Sequence, residues 1–157
     1  MTALAKQFGK LIAAAIVLML LPVLSSAQSD IVYRSPESVE GVITISVEQA
    51  KSLFDQGVKF IDVRSPRLYA RKHIPGAHHL DFKAIFSEQA LASMADRDEP
   101  LVIYCTGVKC SRSSRASAMA ASWGFNQIHY FRGGIVEWKN AGYPTETGKS
   151  LAMQQKR

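Results

Sequence analysis

Four apolar residues in a row, Leu101-Val102-Ile103-Tyr104, stand between Pro100 and Cys105 and decide what kind of sheet this chain can build. A run without polar alternation fits a strand covered on both faces. The flanking sequence supplies further strands and the helices to cover them. Ser46-Val47-Glu48-Gln49 has the form of a capping box, Val47, Ala50 and Phe54 follow at helical spacing, and Gly57 ends the helix. Lys59 to Val63 reads as a short buried strand. Ser65-Pro66 opens a short helix with proline at its first position, and His73-Ile74-Pro75-Gly76 turns the chain. Ala77 to Phe82 is expected as a strand, and Lys83 to Ala95 as a helix with Ile85, Phe86 and Leu91 inward. Beyond Cys105 the period changes to 3.6. Ala116, Met119, Ala120 and Trp123 share a face, with Gly124 as the stop. Gln127 to Phe131 is a further strand, Gly133-Gly134 a tight turn, and Ile135 to Asn140 a last helix. Alternating strands and helices predict an α/β domain with a small, mostly parallel sheet flanked by helices on both faces.

Residues 1–27 stand apart from this domain and have the form of a signal peptide. Lys6 and Lys10 make the positive region, Leu11 to Leu21 the apolar stretch, Pro22 breaks it, and Ser25-Ser26-Ala27 offers small residues for cleavage. The apolar stretch is short for a bilayer span, so a cleaved leader is favoured over a retained anchor. Either form places the domain outside the cytoplasm, in a bacterial periplasm, with no stable membrane insertion after cleavage. Residues 28–41 are expected as an extended lead-in, 42–145 as the packed domain, and 146–157 as a polar, loosely ordered tail.

The chain carries 19 Lys+Arg against 13 Asp+Glu; loss of Lys6 and Lys10 leaves 17 against 13, a mildly basic domain. No Lys/Arg run or basic-aromatic array accompanies that charge, so a nucleic-acid partner is not supported. The four histidines, His73, His78, His79 and His129, show no ligand spacing, and adjacent His78 and His79 in a strand point to opposite faces. No metal site is expected.

Both cysteines, Cys105 and Cys110, fall in the segment Cys105-Thr106-Gly107-Val108-Lys109-Cys110-Ser111. An exported protein can hold such a pair as a disulfide, but so short a loop constrains the unfolded chain weakly, so chemistry is the better reason for its position. The loop after a buried strand, at the carboxyl edge of an open α/β sheet, is where ligands bind. A helix starting near Ser111 aims amides and the positive end of its dipole back into the loop, which favours a thiolate, a persulfide anion or an oxyanion. Lys109, Arg112 and Arg115 add positive charge. The competing reading is a core cysteine closing an apolar strand. The loop behind Cys105 favours the reactive one. Cys110 stays open between a small filling residue and a resolving thiol that attacks a Cys105 persulfide, releasing sulfide and leaving a disulfide. Asp62 and Arg64 flank Val63 at a strand end and read as an ion pair holding the next turn, ahead of substrate contact.

Four segments in order, Asp62-Val63-Arg64, His73-Ile74-Pro75-Gly76-Ala77-His78, the Cys105 loop, and Gly133-Gly134 followed by Trp138, Gly142, Tyr143 and Pro144, resemble the rhodanese-like domains. That resemblance spans Ile43 to Thr145. It implies a sulfurtransferase in which Cys105 takes sulfane sulfur from a small sulfur-containing anion such as thiosulfate. The sulfur is held as a persulfide within the loop Thr106 to Cys110, with Ser111 and Arg112 as further candidates for substrate binding, and passed to a thiol or cyanide-like acceptor. Asp62, Arg64 and His73 enter as supporting residues, and no cofactor is implied. The sequence departs from the family in placing Cys110 at the sixth loop position. The related phosphatases use Cys-x5-Arg, whereas Ser111 stands at that position here and Arg112 one place later, so a phosphate cradle is not expected. Two rival readings remain beside the sulfurtransferase: a redox module cycling a Cys105/Cys110 disulfide, and a non-catalytic binding domain, which the presence of Cys105 disfavours.

Overall fold

The computed structural model describes residues 33–148. The expected signal peptide, residues 28–32 of the lead-in and residues 149–157 of the tail lie outside them. Five parallel strands form one sheet in the order β1-β5-β4-β2-β3, where β1 is Ile43–Thr44, β2 Lys59–Asp62, β3 His78–His79, β4 Leu101–Tyr104 and β5 Ile128–Phe131. The helices are α1 Val47–Asp55, α2 Pro66–Arg71, α3 Glu88–Ala92, α4 Arg112–Ser122 and α5 Gly134–Asn140.

The apolar run is the central strand, and its pleat divides two cores. Leu101 and Ile103 face one layer with Ile61, Ala116, Ala120, Phe125 and Ile128; Val102 and Tyr104 face the other with Ala50, Phe60, Phe131, Ile135 and Trp138. Helix α4 therefore covers one face and α1 with α5 the other, which is why no residue of β4 is exposed. The capping box on α1 forms: the Gln49 amide donates to Ser46 Oγ and the Ser46 amide to Gln49 Oε1, at 3.3 and 2.8 Å.

Four local expectations change. The stretch from Lys83 to Ala95 is not one helix. Asp81 interrupts it: its carbonyl accepts from the amides of Ala84, Ile85 and Phe86, and its Oδ1 accepts from the Lys83 amide at 3.0 Å. Ser87 then caps the short α3 by accepting from the Ala90 amide. Phe86 and Leu91 are buried as expected, but Ile85 is exposed. The strand expected over Ala77 to Phe82 contracts to His78–His79, with His78 exposed and His79 buried. Ile43–Thr44, read only as the start of the packed region, is the edge strand β1 beside β5. At the other end, order continues past Thr145. Glu146 and His73 exchange both backbone hydrogen bonds at 2.9 Å, and Gly148 donates to the Ala70 carbonyl.

Candidate functional site

Cys105 is the first residue beyond β4 and is fully buried. Its peptide is held from the opposite face of the sheet by the start of α5. The Ile135 amide donates to the Cys105 carbonyl and the Val136 amide to the Thr106 carbonyl, both at 3.1 Å. This approach requires a glycine. Gly134, the first residue of α5, has φ +56°, and a Cβ there would run into the Cys105 carbonyl oxygen and lie 2.9 Å from the Gly107 nitrogen. The Gly133-Gly134 pair, expected as a tight turn, is thus the contact that fixes the loop.

The rest of the loop is fastened at two more points. The Cys110 amide donates to the Gly107 carbonyl at 2.9 Å, closing a turn. The Ser35 amide donates to the Val108 carbonyl at 2.7 Å, and the Arg132 guanidinium holds the Ser35 carbonyl at 2.9 Å from one nitrogen and 3.2 Å from another. The lead-in therefore straps the loop from outside. Helix α4 begins at Arg112, and Ser111 before it makes no side-chain capping bond, which leaves the first-turn amides without a side-chain acceptor beside the loop.

Cys105 and Cys110 are joined as a disulfide with their Cα atoms 6.5 Å apart. The pair left open between filler and partner thiol is therefore within bonding reach. The two sulfurs differ in access: Cys105 is fully buried, whereas Cys110 is half-buried.

A cleft of about 990 Å³ opens over the loop. Its lining contains every sequence-derived loop residue from Thr106 through Arg112, together with Arg115. It also contains residues that sequence reasoning missed: Phe82 and Lys83 from the segment after β3, and Gly133, Val136 and Glu137 from around the start of α5. Four cations, Lys83, Lys109, Arg112 and Arg115, thus face one carboxylate, Glu137. The Arg115 guanidinium lies over the Phe82 ring, 4.9 Å from its centre. Such a cleft attracts small anions to the mouth of the Cys105 loop.

Asp62, Arg64 and His73 do not line the cleft. Arg64 is buried and clasps both carboxylate oxygens of Asp62, and it also donates to the Lys72 carbonyl at 2.8 Å. Burial works against the Arg64 charge, but hydrogen bonding and attraction to Asp62 outweigh it and hold the guanidinium above its ordinary range. The pair braces the turn after β2. His73 does similar work elsewhere: Nδ1 meets the Tyr69 carbonyl at 2.9 Å and Nε2 meets Glu146 at 3.0 Å, and the same carboxylate accepts from the Gly76 amide.

A model of the rhodanese-like domain matches residues 46–141. The thiosulfate sulfurtransferase GlpE of Pseudomonas fluorescens is 38% identical over 105 residues, covering 67% of this chain and 91% of that protein. GlpE of Pseudomonas paraeruginosa is 34% identical over 108 residues, covering 69% and 93%. Among solved structures, the Alr3790 protein of Anabaena superposes with a TM-score of 0.60 at 26% identity, over 69% of this chain and 96% of that one. The polysulfide-sulfur transferase homodimer of Wolinella succinogenes gives 0.56 at 26% identity, over 68% and 80%. With its parallel sheet, its cysteine loop at the strand edge and these matches, the chain belongs to the rhodanese-like domain family.

Proposed function

We propose that the protein is an exported sulfurtransferase that takes sulfane sulfur from a small anion of the thiosulfate class onto Cys105 and passes it to a thiol or cyanide-like acceptor. The carrying observation is the placement of Cys105. It sits in a loop clamped by α5, beside the uncapped first turn of α4 and beneath a cleft with four cations. The reduced Cys105 thiolate attacks the outer sulfur of the donor, the sulfur–sulfur bond breaks, and sulfite departs with its electron pair. The persulfide left on Cys105 is an anion, and aligned amides and nearby cations favour it over bulk water. The acceptor then takes the outer sulfur and returns the thiolate.

Relatives named as thiosulfate sulfurtransferases support the donor class. The test is stoichiometric. Reduced protein mixed with thiosulfate is expected to release about one equivalent of sulfite per chain, and Cys105→Ala none. The disulfide supports a second reading, a redox module that cycles both thiols without taking sulfur. It predicts no sulfite release, with the dithiol oxidised only by added disulfides.

Export rests on the form of residues 1–27. Fused to a phosphatase that is active only in the periplasm, these residues are expected to confer activity that the fusion lacking them does not show. An inactive fusion would place the protein in the cytoplasm.

A further inference from the structure

A persulfide on Cys105 would form beside a second thiol that the transfer scheme leaves unused. We infer that Cys110 is the built-in resolving thiol of this site, making the protein a dithiol-dependent enzyme that reduces sulfane sulfur to sulfide; the inference rests on sulfur uptake at Cys105 as proposed above.

Three observations carry it. The disulfide establishes that the loop brings the Cys110 sulfur into bonding contact with that of Cys105, and the Cα separation of 6.5 Å falls in the range such bonds use. The Gly107 turn, the Ser35 strap and the α5 clamp hold both cysteines in one short, fastened segment. Attack by Cys110 is therefore intramolecular, whereas an external acceptor must enter the cleft from solution. Finally, access is unequal. Cys110 lines the cleft and is half-buried, while Cys105 is fully buried and absent from the lining.

The chemistry balances without metal or cofactor. Cys105 thiolate attacks thiosulfate, sulfite leaves, and the outer sulfur remains on Cys105 as a persulfide. Cys110 thiolate then attacks the inner sulfur, the Cys105 atom itself. The bond to the outer sulfur breaks, that sulfur leaves as hydrosulfide after taking a proton, and the Cys105–Cys110 disulfide forms. The sulfane sulfur gains two electrons and the two thiols lose two. A reducing dithiol, small or protein-borne, restores the enzyme. It attacks the accessible sulfur of Cys110, and Cys105 leaves as the thiolate. One cycle converts thiosulfate and a dithiol into sulfite, sulfide and a disulfide.

The deciding experiment is a single turnover. The purified protein is fully reduced, freed of reductant and mixed with thiosulfate in the absence of cyanide or any other thiol; sulfite, sulfide and intact mass are followed together. The wild type is expected to release sulfite and sulfide in about equal amounts and to finish about 2 Da lighter, as the intramolecular disulfide. Cys110→Ser is expected to release sulfite without sulfide and to accumulate a species about 32 Da heavier. Sulfite without sulfide from the wild type, with a lasting gain of one sulfur, would overturn the resolving role and leave the sulfurtransferase reading standing. No sulfite from the wild type would remove both. The wild-type products alone separate these outcomes, so the result does not depend on how well the variant folds.

Discussion

Asp62 and Arg64 illustrate how much a residue can matter to this site without touching it. Both are buried: Arg64 holds Asp62 and the Lys72 carbonyl around the turn after β2, and its contact with the face of Tyr104 at 5.8 Å ties that turn to the strand that delivers Cys105. The backbone takes part as well: the Arg64 amide donates to Asp62 Oδ1, and the Arg64 carbonyl meets His79 Nε2 at 2.8 Å. Removing one partner of such a pair leaves the other charge in a site that cannot solvate it. Asp62→Ala is therefore expected to cost about 3–5 kcal/mol in urea unfolding. Asp62→Asn, which keeps an acceptor for the guanidinium, should cost less. A loss under about 1 kcal/mol for Asp62→Ala would mean that water reaches Arg64 and that the pair behaves as a surface ion pair. The exposed pair Arg97 with Glu88 is the internal control, since both side chains are about half exposed and their removal should change stability little.

At the scale of elements, the contact between α5 and the Cys105 loop carries the strongest demand on sequence. Gly133 and Gly134 are adjacent, yet their surroundings differ in kind. The nearest atoms to a Cβ on Gly133 belong to the flexible Glu137 side chain, whereas one on Gly134 would meet the backbone of Cys105, Thr106 and Gly107. Gly134→Ala must push the loop away from Ile135 and Val136. Sulfite release is then expected to fall by about 100-fold, as for a misplacement of about 1 Å in a reacting group. Gly133→Ala should retain most of the rate, and equal losses in the two variants would show that the clamp does not position Cys105. The strap gives a milder version of the same test. Arg132→Gln weakens the hold on the Ser35 carbonyl, and faster reduction of the Cys105–Cys110 disulfide by a small dithiol is the expected sign that Val108 has been released. Much of this architecture is legible in the chain itself: the apolar β4 run, the Ser46 capping box, the presence of α4 and the position of Cys105 follow from local pattern, although Met119, expected on the apolar face of α4, is exposed and Ser113 and Ser117 are buried there. The parts that are not legible depend on partners distant in sequence. Ile43–Thr44 is too short to show an alternation and becomes a strand only beside β5. Ser35 has no local mark of its contact with Val108, and Glu146 none of its bond to His73. The interruption of the helix expected from Lys83 did have a local sign, in Asp81 and Ser87, two residues that favour caps and turns. The glycine pair was also visible, but a turn and a close backbone approach use the same residue.

For the molecule as a whole, the two cores meet at β4, whose last residue is Tyr104. It is fully buried among Phe60, Val102, Phe131 and Trp138, and its hydroxyl accepts the Ile74 amide at 3.2 Å, linking the central strand to the turn after His73. Burial pushes its ionisation well above the ordinary value near 10, and the Asp62 charge adds to that direction; Tyr69 is raised too, first by burial. The consequence for stability has a definite sign. Below about pH 10 the tyrosines are protonated in both folded and unfolded chains and contribute no pH dependence. Above that pH the unfolded chain loses protons that the folded chain keeps, so stability falls as pH rises, by up to about 1.4 kcal/mol per pH unit for Tyr104. Urea unfolding between about pH 8 and pH 11.5, at constant disulfide state, is expected to show this alkaline limb. Tyr104→Phe should be less stable at pH 8, by about 1–3 kcal/mol, because the Ile74 amide loses its acceptor in a dry core. Its alkaline limb, however, should be shallower than that of the wild type. The two effects have opposite consequences for the variant, so the curves should converge as the pH rises. Parallel curves would show that the alkaline loss arises elsewhere and that Tyr104 ionises as readily in the folded chain as in the unfolded one.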